Sequence, residues 1–374
     1  MRVLHVGTIA HNLQHSVPLI RRAITAGWDV HLACAQSPAA EVLAAGLGVP
    51  LHATPMQRAI RPTADLRAIR SLLACMRRLR PDVVHLHSPK GALLGAIGAR
   101  AAGIRRRVYT VHGAPFETAT PGVAALLQAT ERLTAALTTD RIFVSASLLS
   151  AYRARGLTDD SGAERVLGAG SAAGVDLTAW RARLPPAERA VTFGMVGRPE
   201  RDKGIADALA AFALVRRRHP NVTLEIVAPE AEQPRDRAAL PVVRDGAAVP
   251  GVTVIRRFLS QADLAAFYER IDVLVLPSAR EGFPTVVLEA AAMGRPTIGY
   301  HATGTVDAIV NEQTGAIVRT RDPRALAEAM ERYATVAGLA RAHGAAGLER
   351  VATLFRPDDV WEAVQAVYLG TASR

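Results

Sequence analysis

The chain has 374 residues, of which 49% are hydrophobic and 21% charged, and its formal net charge is +11. That length indicates about two domains, and the apolar content supports a sizeable core, which excludes an intrinsically disordered chain. Positive charge is typical of nucleic-acid-binding proteins. Zinc-finger spacing and an RNA-binding aromatic signature are both missing from the sequence, however, so we expect no nucleic-acid partner.

The basic residues are unusual in kind and in position. Lysine occurs only at Lys90 and Lys203, and all the other basic residues are arginine, a bias that indicates a GC-rich coding background more than selection for phosphate binding. Residues 1–168 hold 20 basic and 10 acidic side chains, so the rest of the chain is almost neutral. Two interpretations stay open: the basic half docks on anionic lipid or a phosphate-bearing acceptor, or it has an arginine-rich solvated surface without a partner.

Several other classes of protein are not indicated. Cys34 and Cys75 lie in apolar surroundings without a CxxC motif, so we expect neither a disulfide framework nor a zinc site. The first ten residues fit a strand better than a signal peptide. No apolar stretch approaches the length of a membrane span. We therefore expect a cytoplasmic protein.

Short β-branched or apolar runs alternate with Ala-, Leu- and Arg-rich helical stretches in the first half, the pattern of βαβ units around a parallel sheet. We predict strands at Val3–Val6, Val30–Cys34, Leu51–Ala53, Val83–Leu86, Val108–Val111 and Ile142–Val144. Predicted helices between them include Val17–Ala26, Asp65–Leu79, Gly91–Ala101 and Val123–Leu137.

The alternation stops at Leu167–Arg189, where Gly and Pro recur, and then resumes. Further strands are predicted at Val191–Val196, Leu224–Ala228, Val252–Ile255, Val273–Leu276, Thr297–Gly299 and Ala316–Val318. Further helices are predicted at Ile205–Arg218, Pro323–Thr335, Leu339–Leu354 and Asp358–Leu369.

This pattern predicts an α/β protein with two doubly wound, Rossmann-like domains. Their expected bounds are residues 1–168 and 191–355, with a linker at 169–190 and a final helical segment at 356–374. Ligands of such sheets bind at the carboxyl ends of the strands, so we expect the functional site in a cleft between the facing domains.

The most informative segment is REGFPTVVLE, residues 280–289, which follows the predicted strand Val273–Leu276. Proline suits the start of a helix, so a helix is expected from Pro284 or Thr285. Its free N–H groups would bind phosphate, while Glu281 would lie in the loop and Glu289 could accept hydrogen bonds from hydroxyls. The alternative is structural: an early-helix Glu offsets the helix dipole, and a loop Glu is often only solvated.

A second motif, GRPERDKG at residues 197–204, follows the predicted strand Val191–Val196. The Arg198 guanidinium matches phosphate oxygens. Lys203 is a compact point charge in a chain that otherwise uses arginine almost throughout, so it marks a position where a guanidinium would not fit. The alternative is that Glu200 and Asp202 simply pair with the arginines of this loop.

Histidines follow two predicted strands of the first domain. His112 ends the run YTVHG, and His85 and His87 lie in HLHSPKG. A lone histidine at a strand end is often structural, and no carboxylate or cysteine completes a metal site around His85 and His87. The sequence also lacks Asp-x-Asp, GxGxxG, P-loop and GxSxG motifs. We therefore expect no metal and no cofactor. Two carboxylates beside an anion site suit a ligand with hydroxyl-bearing sugars on both sides of a diphosphate, and a leaving diphosphate would then be stabilised by Arg, Lys and a helix N-terminus.

Taken together, these motifs resemble those of the retaining glycosyltransferases of family 4, which have the GT-B fold, and the resemblance extends over essentially the whole chain. EGFPTVVLE looks like the E-x(7)-E motif of that family, VGRPERDKG like its donor-phosphate loop, and the stretch from Val84 to Gly113 like bacterial polysaccharide-assembly members. The resemblance implies transfer of a sugar from a nucleotide-sugar donor, with the last helix crossing back onto the first domain.

The resemblance also implies roles for individual residues. Arg198 and Lys203 would hold the donor diphosphate, Glu281 the donor sugar, and His112 the transferred sugar, which makes these four the expected catalytic residues. The expected donor-binding residues are Glu289 on the ribose, Gly282, Phe283, Pro284 and Thr285 at the helix start, and Phe258 and Leu259 near the nucleobase. Acceptor contacts are expected from Thr8, His11, His87 and Lys90.

Two departures from the family pattern concern substrate choice. The first loop, residues 7–12, lacks the paired glycines that many members place against the acceptor, and Val306-Asp307 stands where an Arg-Glu pair is common. The resemblance therefore does not carry over the acceptor or the sugar. By family frequency we expect UDP, a hexose or N-acetylhexosamine, and a saccharide, lipid-linked or small-molecule acceptor.

Other functions stay open at this stage. A sugar-nucleotide epimerase has the same architecture but would need acid and base residues at other positions, and the E-x(7)-E motif favours transfer. A non-catalytic sugar-nucleotide-binding regulatory subunit usually loses residues such as Arg198, Lys203 and Glu281. The chain is expected to be a monomer or homodimer, with peripheral contact to the inner face of the membrane under the docking interpretation.

Overall fold

The chain forms two structural units, each built around one parallel sheet. The computed structural model describes residues 1–158, 163–180, 184, 190–229, 242 and 248–372. Unit 1 comprises Met1–Gly174 and Pro357–Arg374, and unit 2 comprises Val175–Arg356. Pro185 and Pro186 of the predicted linker lie outside the described residues.

Unit 1 contains a seven-stranded sheet whose order in space is β3-β2-β1-β4-β5-β6-β7, with every pair parallel. The strands are β1 (Arg2–Val6), β2 (Asp29–Ala35), β3 (Leu51–Thr54), β4 (Val83–His87), β5 (Arg106–Val111), β6 (Asp140–Phe143) and β7 (Glu164–Val166). The half-buried edge strand β7 was not predicted, because its three residues, Glu-Arg-Val, have neither an apolar run nor a strand-like alternation.

Most helices of unit 1 begin at residues that favour the start of a helix, namely proline in the first turn or a capping serine. Proline occupies the first turn of α2 to α6, where its missing N–H costs nothing. Ser37 caps α3 and Ser145 caps α7, each through its hydroxyl. The helices are α1 (His11–Gln14), α2 (Val17–Thr25), α3 (Pro38–Leu47), α4 (Pro62–Leu79), α5 (Pro89–Ala101), α6 (Pro121–Leu137) and α7 (Ala146–Arg153).

Unit 2 repeats this architecture with a six-stranded parallel sheet in the order β10-β9-β8-β11-β12-β13. The strands are β8 (Thr192–Val196), β9 (Thr223–Val227), β10 (Val252–Ile255), β11 (Val273–Leu276), β12 (Thr297–Tyr300) and β13 (Gly315–Val318). The described helices are α8 (Ile205–Arg218), α9 (Gln261–Arg270), α10 (Thr285–Ala292), α11 (Thr305–Ala308), α12 (Pro323–Thr335) and α13 (Leu339–Leu354).

The last helix, α14 (Pro357–Leu369), belongs to unit 1. Trp361 packs on Trp28 with ring centroids 5.0 Å apart, and Val360, Val364 and Tyr368 join the core on one face of the sheet. The predicted fold class, α/β with two doubly wound parallel sheets and a terminal helix that returns to the first domain, is confirmed. Among the helices of the described residues, none combines the length and apolar character that crossing a membrane requires.

One glycine brings two loops of unit 2 into contact. Gly204 adopts a positive φ of 70°, and a Cβ built on it would lie 2.1 Å from the carbonyl oxygen of Pro277. Only glycine allows both this conformation and this approach. Because Gly204 precedes α8 and Pro277 follows β11, this contact joins the loops that extend from two neighbouring strands.

We expect Gly204→Ala to destabilise unit 2 much more than Gly338→Ala. Gly338 has a similar φ of 76° but open space around its Cα, so alanine there adds only the left-handed strain of about 1 kcal/mol. Gly204→Ala adds a backbone clash of roughly 2 kcal/mol or more. Urea unfolding of the two variants measures the difference, and equal losses would show that the two loops do not need their close approach.

Candidate active site

In each sheet the order of the strands reverses direction at one place, between β1 and β4 in unit 1 and between β8 and β11 in unit 2. Chain connections leave these central strands toward opposite edges, so the loops after them diverge and form a crevice. Ligands of open α/β sheets bind at this point. The motifs GRPERDKG and REGFPTVVLE follow β8 and β11, and HLHSPKG ends β4. His112 follows the neighbouring strand β5, and the predicted nucleobase segment follows β10.

Two ion pairs join the loops that follow β8 and β11 in unit 2. Lys203 Nζ lies 2.7 Å from Glu281 Oε1, and Arg280 Nε donates to Asp202 Oδ2 at 2.9 Å. The backbone N–H of Ala279 donates to the carbonyl of Asp202 at 2.8 Å. Two predicted catalytic residues from different motifs, Lys203 and Glu281, are therefore in direct contact, 78 positions apart in the chain.

Arg198 forms a more exposed pair. Its guanidinium lies 2.8 Å from Glu200 Oε1, and 37% of its side-chain surface is accessible. The structural alternative drawn from the sequence is therefore present in part: Glu200 pairs with Arg198, and Asp202 pairs with Arg280. The guanidinium nevertheless keeps a solvent-facing side on which an anion can bind.

The first turn of α10 is built as the sequence predicts. Pro284 has an extended backbone, the helix begins at Thr285, and within the described residues no side chain caps its first N–H groups. The loop before it is held by a hydrogen bond from Glu281 N–H to the Thr303 carbonyl at 3.0 Å. Gly282 and Phe283 are buried in this loop. The free N–H groups at the start of α10 form a potential anion site.

Glu289, one turn into α10, lies against a buried tyrosine. The Tyr268 hydroxyl donates to Glu289 Oε2 at 3.0 Å, and the ring of Trp180 packs edge-on against Tyr268. Burial of the carboxyl raises the pKa of Glu289 to about 7, although the bond from Tyr268 acts in the opposite direction. Tyr268 was not predicted, because in the sequence a tyrosine inside the amphipathic helix α9 is indistinguishable from a core residue.

The predicted nucleobase segment follows β10 at the carboxyl end of the sheet. The Phe258 side chain is 59% exposed, and Leu259 is half-buried. Arg257 pairs with Asp263 at 2.9 Å, which orients the segment against the start of α9. An aromatic ring this exposed gains from a flat ligand that covers it.

In unit 1, histidines occupy one face of the three central strands. His5 of β1 is the register partner of His85 of β4, and His87 lies two residues further on the same face. His87 Nδ1 lies 3.3 Å from His112 Nε2, and His87 Nε2 lies 3.1 Å from His5 Nδ1. Burial lowers the pKa of His112 to about 3, so the ring is neutral at physiological pH. His5 was not predicted, although it alternates with Val3 as His85 does with Val83.

The other predicted acceptor contacts lie around the same strands. Thr8, after β1, has its hydroxyl 2.9 Å from that of Ser88, after β4. His11 Nδ1 lies 3.1 Å from Gln14 Oε1. Lys90 Nζ lies 2.6 Å from Asp65 Oδ1, so this ammonium is paired within unit 1. An acceptor would have to compete with Asp65 for Lys90.

One cluster in the described part of the chain has the spacing of a metal site. Each of His5, His85 and His87 offers a nitrogen, and the three nitrogens lie within 4.8 Å of one another. The nitrogens of His85 are already engaged, however: Nε2 lies 2.7 Å from Thr110 Oγ1, and Nδ1 bonds the Tyr368 hydroxyl. The donor set therefore fits a hydrogen-bonded network better than a metal.

Comparisons with known proteins agree with this geometry. The family model described as "Glycosyl transferase 4-like domain" matches residues 15–170, and "Glycosyl transferases group 1" matches residues 190–335. The capsular polysaccharide biosynthesis glycosyltransferase CapM of Staphylococcus aureus is 28% identical over 98% of this chain and 96% of its own length. The Escherichia coli UDP-Gal:α-D-GlcNAc-diphosphoundecaprenol α-1,3-galactosyltransferase is 27% identical over 69% of this chain and 67% of its own.

Solved structures show the same fold. Sucrose-phosphate synthase of Thermosynechococcus elongatus superposes with a TM-score of 0.80 at 19% identity, covering 99% of this chain and 98% of that one. HepE of Anabaena, solved in complex with UDP and glucose, also gives 0.80, at 15% identity over 99% and 100% of the two chains.

Two parallel doubly wound sheets with these motifs at their switch points define a glycosyltransferase of the GT-B fold. The chain belongs to family 4 of these enzymes. Glycosyl transfer is thereby favoured over the epimerase and the non-catalytic regulatory subunit that the sequence left open.

We expect Tyr268→Phe to raise the pKa of Glu289 above 7, because it removes the hydrogen bond that stabilises the carboxylate. Carboxyl ¹³C NMR of Glu-labelled protein between pH 5 and 9 measures the titration, with Glu289→Gln to assign the signal. Tyr333→Phe, which removes a hydroxyl bonded to His343 elsewhere in unit 2, is the control. An unchanged Glu289 titration in Tyr268→Phe would contradict the contact.

Proposed function

We propose that this glycosyltransferase moves a hexose or N-acetylhexosamine from a UDP-sugar to a hydroxyl of a saccharide, lipid-linked glycan or small-molecule acceptor, with retention of anomeric configuration. The observation that carries the proposal is the contact between Lys203 and Glu281 at the switch point of unit 2. This contact joins the donor-phosphate loop to the first glutamate of the E-x(7)-E motif. Because the diphosphate and the sugar of a donor are bonded to each other, the groups that bind them must be adjacent.

The donor would bind unit 2 through groups of matching charge. Arg198 and Lys203 supply cations for the diphosphate, supported by the N–H groups at the start of α10. Glu281 accepts hydrogen bonds from the sugar hydroxyls. Glu289 uses one oxygen to accept from Tyr268, and its second oxygen serves a ribose hydroxyl. The nucleobase lies on the backbone of residues 257–259, beside the exposed ring of Phe258.

The ion pair between Lys203 and Glu281 would be exchanged for contacts with the donor when the donor binds. In the absence of donor the carboxylate neutralises the ammonium, and an arriving diphosphate supplies a stronger partner for Lys203. Glu281 is then available for the sugar hydroxyls. Donor binding therefore exchanges one ion pair for two interactions, with diphosphate and with sugar, and leaves no charge buried alone.

We propose that the leaving diphosphate itself receives the acceptor proton. The bond from the anomeric carbon to the phosphate oxygen breaks, the acceptor hydroxyl attacks from the same face, and its proton passes to that oxygen. Arg198 and Lys203 stabilise the negative charge that develops on the diphosphate. His112 of unit 1 contacts the transferred sugar. No metal takes part in this scheme, which is supported by the two cations and by a sequence without Asp-x-Asp.

We expect Lys203→Ala and Arg198→Ala each to lower kcat by about 100-fold or more, because each removes one charge that stabilises the leaving group. Turnover is followed as UDP release and by mass spectrometry of products from UDP-GlcNAc, UDP-GalNAc, UDP-Glc and GDP-Man with lipid-linked and soluble acceptors. NMR of the product shows its anomeric configuration, and turnover in the presence of EDTA shows whether the reaction requires a metal ion.

Arg319→Ala is the matched control, since Arg319 forms an exposed pair with Asp322. Near-wild-type rates in Lys203→Ala or Arg198→Ala would overturn the donor assignment. An inverted product would overturn retention, and loss of turnover in EDTA would overturn metal independence.

We also propose that unit 1 makes peripheral contact with anionic membrane. Helix α5 lies between α4 and α6, and both outer helices expose suitable residues. The α4 side is basic, with Arg67, Arg70, Arg77 and Arg78 exposed. The α6 side is apolar, with Val123, Leu126 and Leu133 each about half exposed. A basic helix and a helix with exposed apolar side chains, on either side of α5, suit a surface of anionic headgroups over acyl chains.

We expect the protein to float with vesicles containing anionic lipid at low salt and to lose binding as salt rises, since each cation contributes about 1 kcal/mol. Combined Arg67→Glu, Arg70→Glu and Arg77→Glu should abolish flotation. The matched control, Arg217→Glu, Arg321→Glu and Arg341→Glu, changes the same charge on exposed positions of unit 2. Absence of flotation at low salt would leave a soluble acceptor and overturn the membrane proposal.

A further inference from the structure

Six of the eleven histidines of the chain lie near the carboxyl ends of the central strands of unit 1. His5, His85 and His87 are almost completely buried on the face that α14 covers. His15 and His11 continue the group toward the surface, with the ring of His15 5.8 Å from that of His112. The proposed donor site explains at most His112. An acceptor contact was expected from His87, but its ring is completely buried, and His5 and His85 have no assigned role.

Three of these rings form a hydrogen-bonded chain. His5 Nδ1 lies 3.1 Å from His87 Nε2, and His87 Nδ1 lies 3.3 Å from His112 Nε2. The Ser16 hydroxyl lies 3.4 Å from His87 Nδ1. His87 thus has both ring nitrogens engaged, and one of them contacts the residue that the proposed function places on the sugar.

Because these rings are neutral, the hydrogen bonds that link them can all run in either of two directions. Burial lowers the pKa of His5 and His112 to about 3 and that of His87 well below its ordinary value. A neutral imidazole carries one N–H and one lone pair. If His5 Nδ1 donates to His87, then His87 carries its proton on Nδ1, which faces both His112 Nε2 and the Ser16 hydroxyl. Where it donates to His112, the proton of His112 is on Nδ1. If the direction is reversed, His112 Nδ1 is an acceptor.

We propose that His87 is a positioning residue that fixes the tautomer and the ring orientation of His112, and with them whether Nδ1 of His112 offers a donor or an acceptor to the transferred sugar. The role of His112 on the sugar rests on the proposed function. The selection of its tautomer by His87 does not, because it follows from contacts within unit 1. The partner of one ring nitrogen determines which nitrogen of an imidazole is protonated.

The competing interpretation is a metal held by His5, His85 and His87, whose nitrogens have suitable spacing. A metal would have to displace Thr110 or Tyr368 from His85 and take one nitrogen of His87 from its partner, His5 or His112. The hydrogen-bonded chain keeps all these contacts, so the geometry favours it.

The test uses the shapes of asparagine and glutamine. An asparagine amide reaches about as far as imidazole Nδ1, and a glutamine amide about as far as Nε2. His87→Asn should therefore keep a partner for His112, whereas His87→Gln should keep only the partner for His5. His52→Gln is the matched control, because His31 Nδ1 and His52 Nε2 form the same kind of bond, 3.0 Å long, on strands β2 and β3.

The first readout is the tautomer of His112, from ¹⁵N–¹H spectra of histidine-labelled protein assigned with His112→Asn. We expect one tautomer in the wild type, His87→Asn and His52→Gln, and a mixture or the other tautomer in His87→Gln. This readout requires no sugar transfer. An unchanged single tautomer in folded His87→Gln would overturn the inference, even if the enzyme proved to be a transferase as proposed.

The second readout is kinetic. We expect His87→Gln to lower kcat about tenfold or more with little change in KM for the donor, because a misoriented group costs rate more than binding. His87→Asn should recover most of the loss, with thermal midpoints of the two variants within a few degrees. Equal kcat losses in both variants would indicate a merely structural role and overturn the inference. Stoichiometric zinc retained after dialysis by wild type, and lost in His5→Ala, would overturn it in favour of the metal.

Discussion

The parallel pairing of β8 with β11 is the constraint on which the donor half of the site depends. Because these neighbours leave the sheet toward opposite edges, the loops after them are the only elements of unit 2 that diverge over a crevice, among the described residues. Gly204 lets one loop approach the backbone of the other, and the Lys203–Glu281 and Asp202–Arg280 pairs then join them. Cations and carboxylates alternate there, so the site is preorganised for a ligand with both phosphates and hydroxyls.

Unit 1 uses the same topology with different chemistry. The histidines at its switch point are uncharged at neutral pH, because burial lowers the pKa of His5, His87 and His112. The cover is α14, whose Tyr368 bonds His85 and whose valines pack on the apolar end of the same sheet face. The net charge of the N-terminal half therefore lies outside this interior, on arginines such as those of α4. In unit 1 the charged arginines lie apart from the candidate site residues, whereas in unit 2 the candidate site residues are themselves charged.

Much of the architecture could be predicted from the chain. The bounds of α8, α12, α13, β10 and β11 agree with the prediction, because each has a clear period and a Pro, Gly or cap at its end. β7 was missed because an edge strand needs no apolar run. His5 was missed because its alternation with Val3 shows which face of the strand it occupies but not which histidines lie beside it. Tyr268 was missed because a tyrosine of the site and a tyrosine of the core follow the same helical spacing. The pairing of Asp202 with Arg280 depends on two loops 78 positions apart.

The sequence by itself determined the fold class, the family and the segments that carry the chemistry, because periodicity, helix-start residues and the two glutamates at fixed spacing are local properties of the chain. Only the tertiary structure decided which side chains meet: Lys203 with Glu281, Tyr268 with Glu289, and His87 between His5 and His112. The physical reason is that a parallel sheet brings together the ends of strands that are distant in sequence. Burial, which sets the pKa of Glu289 and of the histidines, likewise results from the packing of the whole unit and not from any one segment.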